Sequence, residues 1–320
     1  MDGEDIELFA RSIRNATQEH TGQALDVALG DLGWYDALTV EPRAAIATLF
    51  ECQGADNVTS SALCHVVQHA LGVDDTPAAR VVLPPIGQWH PPATVTHRGL
   101  HVNGLVPAAL RHRASVVVIA PTGRSDGVFE VPTTSLAFDR VDGIDPHCGL
   151  LQVAGADIDP ATDRGPTADG WAAAVALARV AIAHELVGAS RTMLELAREH
   201  ALGRIQFGRP ISSFQAIRHR LAETLVAIEM AEATLDLAWL DMTEQTAAMA
   251  KAVAGRQART TARHCQQVLA GIGFTTEHPL HLYIRRTLLL DGLFGTAASL
   301  TRALGEEIMS IGQLPRKLVL

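Results

Sequence analysis

The segment that most limits what this chain can fold into begins at Thr167: TADGWAAAVALARVAIAHELVGASRTMLELAREHAL. More than thirty residues pass without an internal proline, and Ala, Leu, Glu and Arg, all strong helix formers, dominate it. Its apolar content is too wide for a one-sided surface helix, so the helix is expected to be buried on most sides. GRIQFGRP then breaks the pattern. ISSFQAIRHRLAETLVAIEMAEATLDLAWLDM resumes it, with Ile211, Phe214, Ile217, Leu221 and Leu225 on one stripe. Two further helical runs follow, TEQTAAMAKAVAGRQARTTARHCQQVLAG and PLHLYIRRTLLL. Long helices joined by short turns predict a four-helix bundle over 166–320.

The bundle is preceded by two different textures. Residues 1–76 carry helical periodicity in ARSIRNATQEH and EPRAAIATLFECQG, and again in NVTSSALCHVVQHALG, where Asn57 or Thr59 is the expected N-cap. Prolines crowd DDTPAARVVLPPIGQWHPP and exclude a long helix there. From 77 to 165 the runs RVVLP, ATVTH, GLHVNGLV, SVVVIAP, GVFEVP and LLQVAG are short and β-branched, separated by Gly, Pro and Asp. They predict an antiparallel barrel or sandwich. The expected class is therefore α+β, in the order N-terminal helical domain, middle antiparallel β domain, C-terminal four-helix bundle.

Charge excludes some functions. A formal net charge of −9 argues against nucleic acid, whose phosphates need a basic footprint. No run of 18 or more residues is wholly apolar, so no membrane partner is expected. The opening MDGEDIELFARSIRN is acidic where a signal peptide is basic and then apolar, which predicts a cytoplasmic protein. Cys52, Cys64, Cys148 and Cys265 are far apart and are read as buried thiols. His65 and His69 have the i, i+4 spacing of a zinc pair, but no third ligand accompanies them and no metal site is expected.

Two segments suggest a binding role. GRIQFGRPISSFQ offers Arg204 and Arg209 beside an aromatic, Phe207, and a helix start at Gln215; arginine and helix-end amides suit a pyrophosphate. AGIGF, from Ala270 to Phe274, reads either as a helix C-cap at Gly271 or as a close-approach turn. Together, RIQFGRPISSFQ, QVLAGIGF and TEHPLHLYIRRTLLLDGLFGT resemble the C-terminal domain of acyl-CoA dehydrogenases. The resemblance implies FAD bound across a subunit interface, with Arg204, Phe207, Gln215, Gln267 and Gly271 offered to a neighbour's cofactor. Ala270 stands where the family commonly has a first glycine.

The same resemblance exposes what is missing. The family needs a carboxylate to remove the α-proton of an acyl thioester while hydride leaves the β-carbon for the flavin. That base usually sits just before the Gly-Thr, where this chain has Phe294, or beside the arginine matching Arg179, where it has Ala178. The position of the CoA-contacting aspartate holds Ala176, and PPIGQWHPP stands where the family has its flavin loop. The resemblance thus implies a base-lacking subunit of a heteromeric enzyme, α2β2, paired with a longer acyl-CoA dehydrogenase subunit. Its substrate would be a bulky, steroid-derived acyl-CoA, and electrons would pass to an electron-transfer flavoprotein. Two alternatives stand beside it: a homomeric enzyme with a relocated base at Glu185 or Asp291, and a non-catalytic interaction protein on the same fold.

Overall fold

A computed structural model describes residues 3–73, 80–123, 125–141, 143–160, 162–166 and 170–312. The element order is helices, strands, helices. Five helices open the chain: α1 (Gly3–Glu19), α2 (Gln23–Asp31), α3 (Trp34–Val40), α4 (Pro42–Asp56) and α5 (Ala62–Ala70). Pro42 occupies the first turn of α4, where its missing N–H costs nothing, and Asn57 closes that helix in the left-handed conformation. Asn57 is therefore a C-cap. The N-cap of α5 is Ser61, not the expected Asn57 or Thr59. Ile13, Leu25, Leu29, Trp34, Ile46, Leu49 and Phe50 form the core of this helical part.

The middle part is two antiparallel sheets. The first has the order β1 (Ala93–Thr96), β2 (Gly99–Pro107), β6 (Leu150–Ile158), β5 (Ala137–Arg140); the second is β3 (Ser115–Pro121), β4 (Asp126–Pro132), β7 (Thr162–Pro166). Val116, Val117, Val118, Ile119 and Ala120 of β3 are all buried, so this strand lies inside the packing on both faces. RVVLP is not a strand. It makes only two isolated bridges, Val81 to Val117 and Leu83 to Leu105, because the prolines that follow cannot continue a ladder.

The bundle is built on α6 (Gly170–Gly203), which is 34 residues long. By length and composition α6 matches a membrane span, with mean hydropathy 1.5 over 18 residues, yet 83% of that window is buried inside the protein. A short hairpin, β8 (Ile205–Gln206) and β9 (Arg209–Pro210), leads to α7 (Gln215–Leu240); α8 (Glu244–Leu269) and α9 (Leu280–Gly292) follow. A further helix absent from the expectations, α10 (Ala297–Ile311), packs on α8. Leu225, expected on the buried stripe of α7, is 46% exposed. Gly54 of α4 and Gly188 of α6 pack reciprocally: a methyl on Gly54 would overlap the Glu185 carbonyl, and one on Gly188 the Glu51 carbonyl. This contact fixes the first helices on the bundle.

Candidate functional site

The connectivity gives the bundle two ends. At one, the C-termini of α6 and α8 meet the start of α7, held by Met193, Ala197 and Ala201 against Cys265, Val268 and Leu269, with Ile211, Ile217 and Leu221 alongside. At the other, the N-terminal part of α6 meets the start of α8 and the α9–α10 turn. Arg179 and Arg204 are twenty-five positions apart, roughly 37 Å along the α6 axis at about 1.5 Å per residue.

The first is the hairpin end. Phe207 and Gly208 are the two central residues between β8 and β9, both with positive φ (51° and 78°), as a two-residue I′-type turn requires. A phenylalanine is costly there. It is also 92% exposed. Phe207 meets Phe214 edge-on with ring centroids 6.1 Å apart, and the Arg209 guanidinium lies 4.4 Å from the Phe214 ring. The Arg204 amide donates to the His200 carbonyl (2.8 Å), ending α6 at the base of the hairpin. Gln215 is the first residue of α7, and Gln267 lies in the last turn of α8. All five residues predicted to contact a cofactor, Arg204, Phe207, Gln215, Gln267 and Gly271, are exposed at this end.

The α8 cap differs from expectation. Ala270, not Gly271, is the cap residue, with φ 51° and ψ −132°, a conformation glycine adopts far more easily. Gly271 has open space where a side chain would be, so no packing within the chain demands a glycine there. Phe274, three residues on, is 72% exposed. His200 and His278 are both pushed below the usual histidine range, by burial first and then by the neighbouring Arg204 for His200 and the neighbouring histidines for His278.

The second is the turn end. Phe294 has positive φ (54°), is fully buried, and stacks on Trp171 with centroids 6.4 Å apart. Its carbonyl accepts from Nε of Arg179 (3.2 Å), a guanidinium only 2% exposed. Lys251, wholly buried, donates Nζ to the carbonyls of Asp291 (3.0 Å) and Gly295 (3.2 Å). Ala176 and Ala178 are buried methyl groups. The loop 84–92 closes over the turn: the Gly87 amide donates to the Gly292 carbonyl (2.7 Å), and the Trp89 ring lies 5.5 Å from the Arg179 guanidinium. Beside Trp89 and Arg179 a cavity of about 620 Å³ opens between the first turns of α8 and the face of α10.

Neither relocated-base candidate faces that cavity. Glu185 accepts from Nε (2.9 Å) and Nη2 (2.6 Å) of Arg286, with Asp145 3.8 Å from Nη1 of the same arginine. Burial raises the Glu185 carboxyl, and the Arg286 charge opposes the rise. Asp291 accepts from Arg259 (2.6 Å) through one oxygen and from the Ala297 amide (2.9 Å) through the other. Both carboxylates are engaged in holding helices together. His65, one of the paired histidines, packs its ring against Tyr35 at 4.4 Å.

Residues 169–309 match the family model for the acyl-CoA dehydrogenase C-terminal domain. That part of the chain is an acyl-CoA dehydrogenase C-terminal domain. The acyl-CoA dehydrogenase IpdE2 of Mycobacterium tuberculosis is 32% identical over 195 residues, 61% of this chain and 58% of that protein. The chain thus spans less than two thirds of that relative's length. Among solved structures, the Tcur3481–Tcur3483 steroid acyl-CoA dehydrogenase aligns at TM-score 0.80 and 21% identity, over 97% of this chain and 99% of that one. The ChsE4–ChsE5 complex from Mycobacterium tuberculosis aligns at 0.79 and 20%, over 98% and 99%. At these identities the structural likeness establishes the acyl-CoA dehydrogenase fold.

The family is FAD-dependent, and the hairpin end carries exposed groups that could hold part of that cofactor. An arginine, two amides, an exposed aromatic in a strained turn and an unfilled glycine are the groups a pyrophosphate, ribose edge and adenine face require. At the turn end Ala178 and Phe294 are buried, and the cavity beside Arg179 is lined by Trp89, Thr243, Gln245 and Glu307 with Glu244, whose carboxylate lies 3.7 Å from the guanidinium. Phe274 and Trp89 were missed in the sequence. An aromatic ending a Gly-x-Gly turn was the available signal for Phe274. Nothing in the proline-rich run separates Trp89 from a packing tryptophan.

Proposed function

We propose that this chain is the FAD-clamping subunit of a heteromeric acyl-CoA dehydrogenase, in which a longer homologous subunit supplies the catalytic carboxylate. The observation that carries this reading is the contrast between the ends: the hairpin end offers its polar and aromatic groups outward, while the turn end buries Ala178 and Phe294 where an acid would stand. A positioned base is worth about 10²–10⁴ in rate, so this chain alone is a poor catalyst. In such a complex, bound FAD would supply the acceptor for the β-carbon's hydride while the partner's carboxylate would take the α-proton, leaving a 2,3-enoyl-CoA. This chain's part would be to hold: Arg204 would pair with the pyrophosphate, Gln215 and Gln267 would serve ribose or adenine edges, and Phe207 and Gly271 would offer an apolar face and a close backbone approach.

The likeness to the Tcur3481–Tcur3483 steroid acyl-CoA dehydrogenase supports a bulky, steroid-derived acyl-CoA as substrate. The likeness to the ChsE4–ChsE5 complex supports an unequal pair, for which we propose α2β2. Electrons would leave through an electron-transfer flavoprotein in the cytoplasm. The test is flavin per chain from absorbance, for the chain alone and co-expressed with a longer homologue. The reading expects about one FAD per two chains in the mixed complex only, and loss of that flavin on Arg204→Ala. One FAD per chain in the isolated protein would refute it.

A further inference from the structure

We propose that the loop 84–92 is a permanent occupant of this chain's own turn end, with Trp89 as the wedge that seals it. The proposal rests on the reading that this end carries no catalytic base. Four prolines, Pro84, Pro85, Pro91 and Pro92, restrict the loop before it meets anything. Both its ends are tied to β2: Leu83 and Leu105 exchange amide–carbonyl bonds at 2.8 Å, and the Asn103 amide donates to the Pro92 carbonyl at 2.8 Å. Its crest is tied to the bundle. The Gly87 amide reaches the Gly292 carbonyl, and Nε1 of Trp171 donates to the Trp89 carbonyl at 2.7 Å.

The turn is shaped to receive the loop. A methyl on Gly292 would come within 2.9 Å of Cγ2 of Ile86, and one on Gly295 within 2.9 Å of the Trp89 ring. The two glycines flank Phe294, so the loop packs directly on the turn. Arg179, which bonds the Phe294 carbonyl below, is covered by the Trp89 ring above. A hinged lid would be free at one end; this loop is bonded at both ends and at its crest. Removing the indole would open a hole into the adjoining 620 Å³ cavity.

The experiment is thermal unfolding of the full chain, wild type and W89G, with and without indole. W89G should unfold at lower temperature and regain about 3 °C at indole near ten times its dissociation constant, while wild type should not respond. Flavin content of the mixed complex should be the same for W89G and wild type, because the clamp lies at the other end of α6. An equal indole response in wild type, or none in W89G, overturns the proposal. Loss of flavin on W89G would also overturn it, since that would place Trp89 in the cofactor site. Should W89G not fold, a double-mutant cycle between W89F and Gly295→Ala decides: non-additive shifts support direct packing, and additive shifts refute it. The indole result is read on the single chain, so it stands whether or not the flavin stoichiometry of the wild-type complex agrees with a clamping subunit.

Discussion

Ala270 holds a backbone conformation, φ 51° and ψ −132°, that charges a Cβ atom for being there. Replacing it by glycine removes that strain but frees the unfolded chain, and in this quadrant relief should prevail. Ala270→Gly is expected to stabilise the chain by about 0.5–1 kcal/mol, seen as a rise in the denaturation midpoint at unchanged slope. Lys251 is a second residue whose cost is measurable. Burial pulls its ammonium down from 10.5 to about 8, with Asp291 opposing and Arg179 and Arg259 assisting. Between about 8 and 10.5 the unfolded chain holds a proton that the folded chain has released, so this group makes stability rise with pH through that window. Tyr35, raised to about 12, contributes the opposite slope above 10. The difference in stability between wild type and Lys251→Met, followed by chemical unfolding from pH 7 to 10.5, isolates the lysine. A constant difference would mean that Lys251 keeps its proton in the fold.

At the scale of elements, the α4–α6 crossing depends on two missing side chains. Gly188→Ala forces a methyl against the Glu51 carbonyl, and the helices must separate. A loss of about 2–3 kcal/mol is expected from urea unfolding. Gly305→Ala in exposed α10, with nothing within 4 Å, should instead be neutral or stabilising by up to about 1 kcal/mol. The long helices were readable because α6, α7 and α8 repeat their signal over many turns. Short elements were not. RVVLP has strand composition, but the prolines behind it leave it two bridges. Strands β5 and β7, with AFDR and TDRGP, carry almost no alternating pattern and exist through their pairing with β6 and β4. Leu225 continued a helical stripe on paper, but the helix face it shares turns outward.

For the whole molecule, sequence residues named the candidate cofactor contacts because such groups are short-range and local: Arg204, Phe207 and Gln215 lie within one turn and its flanks. What could not be read was the closure of the other end. Trp89 and Phe294 are about two hundred positions apart, and only the folded chain shows that they share one packed wall with Arg179. The engagement of Glu185 by Arg286 and of Asp291 by Arg259 is likewise long-range, and it removes two carboxylates that sequence position alone left available.

The separation of Arg179 from Arg204 by roughly 37 Å of α6 has an evolutionary reading. In cellular salt, charge is screened over about 8 Å, so a phosphate held at the hairpin lies more than four screening lengths from whatever replaces the acid at the turn. After a gene duplication, selection could let one end decay without taxing the other. On the clamping-subunit proposal, a copy that had forgotten its chemistry would still be worth keeping, as the half that holds its sibling's coenzyme.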